Sequence, residues 1–281
     1  MVLFGESGRT LMKKRLSDNE YIATNLTAWE EVAPIHARHN QYALLERVSK
    51  PGFSALDDTA TSHLNDLGVK GKSVAQVCCN NGIELLSCKT LGAARCVGFD
   101  GAQGFVDQGI ELANASGHEV EFVCCEAHAI PSEYHTSFDI VLITIGVLSW
   151  MPDIDRFFLE MEKLLAPGGV IFIYEHHSIL QMVEPGKADE PLKWELSYFR
   201  EEAYIDESGL DYYGGDSYGA TPNASFSHKM SDIVMGCIHS GLTLEYFEEL
   251  PKHISNTWWN VEHSGIGLPM SFVMVVRKKT K

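Results

Sequence analysis

The stretch "VAQVCCNNGIELLSCKTLGAARCVGFD", Val74 to Asp100, decides how the rest of the chain is read. It opens on an apolar run, passes through "CCNNG", takes on a helical pattern, and closes on a second apolar run stopped by an aspartate. A strand, a glycine-bearing turn, a helix and a second strand tipped by a carboxylate make a frame for a nucleoside. The turn admits backbone close to the ligand, and the acid accepts hydrogen bonds from the ribose hydroxyls. Gly82 begins the helix and Asp100 lies eighteen positions later, a spacing that fits the ribose role. Taken alone, the stretch reads equally as an ordinary strand–helix–strand, since any parallel strand can end in Asp.

The same alternation continues downstream. "GAQGFVDQGIELANASG" reads as a helix, "VEFVCCE" as a strand and "FDIVLITIGV" as a longer, fully apolar strand. "DIDRFFLEMEKLLAPGG" reads as a helix with a Pro-Gly-Gly stop, followed by the strand "VIFIYE". Near-continuous apolar strands separated by helices predict a parallel sheet covered on both faces. Upstream, residues 1 to about 25 are polar and expected to be irregular. "TAWEEVAPIHARHNQYALLERV" reads as a helix broken or restarted at Pro34, and "SALDDTATSHLNDLG" as a helix closed by Gly68. After His176 the alternation stops. Residues 177 to about 226 are rich in Tyr, Gly, Asp and Glu, and too long for a plain loop. Regular structure returns with the helix "SFSHKMSDIVMGCIHSG" and the strands "LTLEYFEEL" and "MSFVMVVRKK".

With 281 residues, 45% of them hydrophobic, the chain can bury one large core. A formal net charge of −16 argues against nucleic acid or an anionic membrane as partner and favours a small neutral or cationic substrate. No apolar run has the length of a membrane-spanning helix, and no basic segment precedes an apolar one at the start, so no secretory leader is expected. The seven cysteines form no CxxC, which leaves zinc-ribbon and thioredoxin-type sites unsupported. They read as small core hydrophobes in a reducing cytoplasm. His36 and His39 lack further ligands at useful spacing, so no metal is expected.

The chain resembles the class I S-adenosylmethionine-dependent methyltransferases over most of its length. The slots of their acidic-x-Gly-x-Gly-x-Gly signature fall on Gln76, Cys78, Asn80 and Gly82, and only the last keeps its glycine. One branch of bacterial small-molecule methyltransferases has a similarly degraded turn, with a first strand resembling "LHLQCHFG". "VGFD" supplies the ribose acid Asp100, and "VCCEAHAIP" places Glu126 and Ala127 where family members contact adenine. "FDIVLITIGVLSWMPD" matches the fourth strand, with Thr144 at its end, and "LLAPGGVIFIYEHH" the fifth. "WEEVAPIHARHNQY" and "SFSHKMSDIV" resemble words on either side of the core.

The resemblance implies an α/β, Rossmann-like, doubly wound seven-stranded sheet, mostly parallel with an antiparallel last strand. It implies an N-terminal arm and helical lid over 1–70, a cofactor-binding core over 71–176 and 227–281, and a substrate cap inserted at 177–226. The lost glycines do not abolish a site, because Asn80 and Asn81 tolerate positive φ. Gln76, however, carries no charge to pair with an ammonium. A dinucleotide would need glycine backbone against its pyrophosphate, whereas S-adenosylmethionine has no phosphate to seat.

Trp29 and His36 are expected at the cofactor's methionine end and Tyr42 at the substrate, or else these side chains pack helix on sheet. Tyr174 and His176 end the fifth strand as catalytic candidates, with Glu175 as a substrate contact; the bland alternative is a solvated strand end. Strand alternation sends His176 and His177 to opposite sides. Trp150 is expected beside the substrate or in the core, and His228 in the cavity or at a helix cap. Tyr198, Tyr204, Tyr212, Tyr213 and Tyr218 read as a cap over an aromatic or cationic substrate, as a self-packed module, or as a dimer contact in a monomer-or-homodimer protein. The leading function is methyl transfer to N or O of a small molecule, in the manner of specialised metabolism. The alternatives are cyclisation of the cofactor's own arm to azetidine-2-carboxylate with release of methylthioadenosine, and a non-catalytic binding module.

Overall fold

A computed structural model describes residues 16–214, 218–255 and 257–280. The chain starts with α1 (Asp18–His36), which a Ser17/Glu20 capping box initiates. The irregular arm expected to about residue 25 is therefore already helical from Asp18, and residues 1–15 lie outside the described part. Pro34 lies inside α1 without breaking it. The irregularity comes one turn later, as a π-helical turn at Ala37–Gln41 before α2 (Tyr42–Val48). Helix α3 (Asp58–Asp66) follows, capped by the Asp57 carboxylate, and Gly68 turns the chain out at φ +70°.

The core then alternates through β1 (Ser73–Val77), α4 (Ile83–Thr90), β2 (Arg95–Asp100), α5 (Gln103–Ser116), β3 (Glu121–Cys124) and β4 (Phe138–Thr144). Helix α6 (Ile154–Leu164) leads directly into β5 (Leu165–His176). The Pro-Gly-Gly word expected to stop α6 thus belongs to the strand, which pairs β4 through an irregularity between Phe138 and Ile140. The insertion carries a short hairpin, β6 (Tyr204–Asp206) on β7 (Asn223–Ser225). The chain finishes with α7 (Met230–His239), β8 (Thr243–Leu250), α8 (Trp259–Glu262) and β9 (Ser271–Arg277).

The seven-stranded sheet has the order β3-β2-β1-β4-β5-β9-β8. Its first five strands are parallel, and β9 runs antiparallel to both neighbours. Side-chain alternation builds two cores. Val74, Leu142 and Phe172 pack with Leu64 of α3 and Leu85 of α4. Ala75, Val141 and Ile171 face Phe157 and Phe158 of α6 and Ile233 of α7. The winding reverses between β1 and β4, so their carboxyl ends flank the crevice where such sheets take ligands.

Two close approaches depend on missing side chains. A Cβ on Gly104 would sit 2.8 Å from Ala33, and Gly101 likewise faces Leu26, so α1 lies tight against the β2–α5 turn. Gly98 and Gly109 surround the Phe122 ring, with Cβ positions 2.9 and 2.7 Å from it. In an exposed helix interior, Gly→Ala gains about 1 kcal/mol of propensity. At Gly109 we expect the reverse, a loss of about 1–3 kcal/mol from overpacking. Urea unfolding of Gly109→Ala checks this, and a stabilised variant would mean that the ring yields.

Candidate active site

A cleft of about 1110 Å³ opens over the carboxyl ends of β1, β2, β4 and β5. Its floor begins at the bend after β1. Cys78 and Asn80 both sit at φ +52° and Gly82 at +65°. Such geometry costs a non-glycine residue roughly 1–2 kcal/mol, and a carboxylate braces it. Asp100 accepts the Asn80 N–H at 2.7 Å and the Ala102 N–H at 2.9 Å, tying the two turns together. Burial outweighs those amides and raises Asp100 to about 6.

Cys78, Asn80 and Asp100 line the cleft, as do Glu126, Ala127 and Thr144. Gly82 does not. It caps α4, and a Cβ there would overlap Phe122, so its role is conformational. Gln76 is 2% exposed and donates from Nε2 to Glu84 at 2.8 Å and to Thr144 at 3.0 Å. Thr144 in turn donates its hydroxyl to Glu84, whose carboxyl burial holds above its ordinary value. Glu84 escapes the sequence reading because it lies in the first turn of a helix rather than on the strand. His128 was also missed. It donates from Nδ1 to Glu126 and faces the cleft behind Ala127.

Trp29 and Trp150 meet edge to face at 5.2 Å and form part of the wall. His36 does not reach it. The His36 ring is buried behind Tyr212 and Tyr213, with Nε2 at 3.0 Å from the Leu210 carbonyl, and desolvation drops it to about 4. Tyr42 is 84% exposed on the outer side of α2, well removed from any substrate. Among the described residues, no three His, Cys, Asp or Glu side chains gather as a metal-ligating group.

The end of β5 splits as pleating requires. Tyr174 points into the α3 side and donates its hydroxyl to Asp57 at 2.9 Å, away from the cleft. Glu175 lines the cleft but is spent on backbone, accepting N–H groups of Gly146 at 2.6 Å, Leu148 at 3.3 Å and His176 at 2.7 Å. It pins the loop after β4, and burial raises it to about 7. His176 faces the cleft and packs on Trp258, while His177 turns to Glu249 at 2.8 Å. Burial drops His176 to about 3. His228 lines the cleft with Nε2 at 2.8 Å from the Met151 carbonyl, and burial lowers it as well.

From the insertion, Tyr204, Tyr212 and Tyr213 reach the cleft. Tyr198 and Tyr218 instead accept the N–H groups of Met230 and Leu210. The insertion is sewn to α1. Asn25 donates to the Ala224 carbonyl at 2.8 Å and accepts the Ala224 N–H at 2.7 Å, and Glu31 accepts both the N–H and hydroxyl of Thr221. Four cysteines are buried as expected of core residues, but Cys124 is exposed.

A family profile described as "Methyltransferase domain" matches residues 75–173, the segment that runs from β1 through most of β5. Over that segment the chain is similar to this family of methyltransferase domains. No protein of curated function matches it by sequence. Among solved structures, an S-adenosylmethionine-dependent methyltransferase from Mesorhizobium loti is 17% identical, with 77% of this chain and 96% of that one covered at a TM-score of 0.57. A 1,6-didemethyltoxoflavin-N1-methyltransferase from Burkholderia thailandensis, with its substrate and S-adenosylhomocysteine bound, is 15% identical, with 96% and 93% covered at 0.56. The [4+2]-cyclase SpnF is 17% identical, with 90% and 97% covered at 0.52. At these identities the likeness speaks for the fold, and this fold carries more than one chemistry.

The raised Glu175 carboxyl has a consequence for the protein's stability. Its proton is held more tightly folded than unfolded, so its contribution is present below the usual 4.5 and is lost as pH rises through about 7. Glu175→Gln mimics the protonated form. Relative to this variant, wild type should lose stability between about pH 4.5 and 7, which paired urea titrations measure; a constant difference would place the Glu175 titration elsewhere.

Proposed function

We propose that the enzyme transfers the methyl group of S-adenosylmethionine to a nitrogen of a small amine-bearing molecule. One observation carries this reading: among the described residues, eight carboxylate side chains and no Lys or Arg line the cleft. Such a lining suits a ligand that is cationic at sulfonium and ammonium, and an acceptor that is itself an amine. Anionic acceptors would meet repulsion without a counter-charge.

The residues present fit the cofactor. Each Asp100 oxygen accepts one backbone N–H, which leaves lone-pair capacity for ribose hydroxyls. Glu126, Ala127 and His128 would flank the base. Trp29 and Trp150 offer ring faces suited to a cation. When bound, the cofactor supplies a methyl group on a sulfonium whose leaving group is already activated. The protein's part is to orient, exclude water and take up a proton. Tyr174 is engaged on the far side of the sheet, and His176, at about 3, holds a proton too weakly at neutral pH. That leaves His228 as the proton acceptor, fixed by the Met151 carbonyl and kept neutral by burial. Helix α1 and residues 177–226 act as lid and cap. The seven free thiols support a reducing, cytoplasmic setting.

Incubation with methyl-labelled S-adenosylmethionine and a panel of primary amines and carboxylic acids tests the proposal. Label should enter the amines with release of S-adenosylhomocysteine. Methyl esters as the sole products would overturn the nitrogen preference, and methylthioadenosine released without an acceptor would overturn methyl transfer. In calorimetric titrations with S-adenosylhomocysteine, Asp100→Ala should weaken binding by about 1–3 kcal/mol, the cost of stranding hydrogen-bond partners. Wild-type affinity should fall as pH drops through about 6, where Asp100 protonates, and Asp100→Asn should flatten that dependence. A profile unchanged by Asp100→Asn would remove the residue from the ribose role.

A further inference from the structure

We propose that Glu84, on the helix, anchors the ammonium of the cofactor's aminobutyrate arm, a duty that the neutral Gln76 on the strand cannot perform alone. This rests on the reading that the cleft takes S-adenosylmethionine.

Three side chains from three elements converge at the switch point between β1 and β4: Gln76 on β1, Glu84 in the first turn of α4 and Thr144 at the end of β4. The hydrogen-bond inventory at this point is lopsided. Both Gln76 N–H bonds are committed, one to Glu84 and one to Thr144, which fixes the orientation of the amide. Thr144 spends its only hydrogen on Glu84. What the cluster still offers is acceptors: the remaining capacity of the Glu84 carboxylate, and the Gln76 Oε1, a buried oxygen without a partner.

A buried carbonyl oxygen left unpaired beside a carboxylate is costly unless a donor arrives. No Lys or Arg among the described lining residues offers a cationic donor, so a cationic ligand can supply both the hydrogen bond and the charge. An ammonium has three N–H bonds and a positive charge. It can serve both acceptors while offsetting the desolvation of Glu84. A hydroxyl would satisfy one oxygen and leave the charge uncompensated, and an anion would be repelled. Gln76 and Glu84 are eight positions apart in sequence and one hydrogen bond apart in space, at 2.8 Å. The charge that the first strand lacks has moved to its hydrogen-bond partner.

Two ligands separate this role from a structural one. S-adenosylhomocysteine carries the ammonium, and 5′-methylthioadenosine keeps the nucleoside without the amino-acid arm. Calorimetric titrations of wild type and Glu84→Gln should show S-adenosylhomocysteine weakened about tenfold or more, with methylthioadenosine within about twofold. Equal losses for both ligands would make Glu84 a structural prop, and an unchanged S-adenosylhomocysteine affinity would remove it from the site. Either result overturns the proposal. Wild type binding neither ligand would overturn the cofactor reading itself. Should Glu84→Gln fail to fold, the exchange Gln76→Glu with Glu84→Gln returns the charge to the other end of the same hydrogen bond. S-adenosylhomocysteine affinity should then recover to within about threefold of wild type, and no recovery would count against the ammonium role.

Discussion

The contact on which the site depends is a single hydrogen bond, from the backbone of Asn80 to the carboxylate of Asp100. A bend with two non-glycine residues at positive φ is unfavourable by itself. Asp100 offsets part of that cost by bridging the turn after β1 to the turn after β2, through Asn80 and Ala102. In the proposed function the same side chain serves conformation and recognition together. This explains how a glycine-poor turn persists at the end of β1: the strain sits in the backbone, and the acid proposed for the ribose is also what relieves it.

The electrostatic character of the cleft follows from where its carboxylates are spent. Glu175 is consumed by three backbone N–H groups and shapes a loop. Asp100 gives one oxygen to each of two backbone N–H groups and keeps lone-pair capacity on both. Glu84 keeps capacity free beside an orphaned amide oxygen. Acids with three different degrees of engagement thus share one cleft, and burial raises each toward its protonated form. Positive charge on a ligand is therefore welcome wherever it falls. A carboxylate beside the cofactor's amine would favour its protonated form, which disfavours the cyclisation that the uncharged Gln76 had seemed to leave open.

Most of the architecture was legible because apolar periodicity and turn residues act locally. The strands of the sheet and its flanking helices are where "VAQV", "RCVGFD", "FDIVLIT" and their neighbours place them. Three misreadings share a cause in context. Pro34 suggests a break or restart, yet α1 carries it two residues before its end; "APGG" suggests a helix stop and is strand; and residues near 20 suggest an irregular arm although Ser17 and Glu20 spell a capping box. Places in the cleft marked by strand ends are legible in the sequence, since Asp100, Thr144 and His176 all line it. Residues whose direction depends on helix packing were not. Tyr42 and His36 occupy one helical word, yet the first faces solvent and the second is buried behind the cap. Glu84 is the acid in the first turn of the helix that follows the strand position that has lost its own.

Asn25 treats Ala224 as a strand treats its neighbour, giving and taking one backbone hydrogen bond each. With Glu31 on Thr221 and His36 near the Leu210 carbonyl, this welds the roof of the cleft to a helix encoded some two hundred residues earlier. The roof is therefore not a transplantable module. Any exchange of residues 177–226 with those of another scaffold would have to carry α1 along, because Asn25 and Glu31 hold the segment and Trp29 continues its wall.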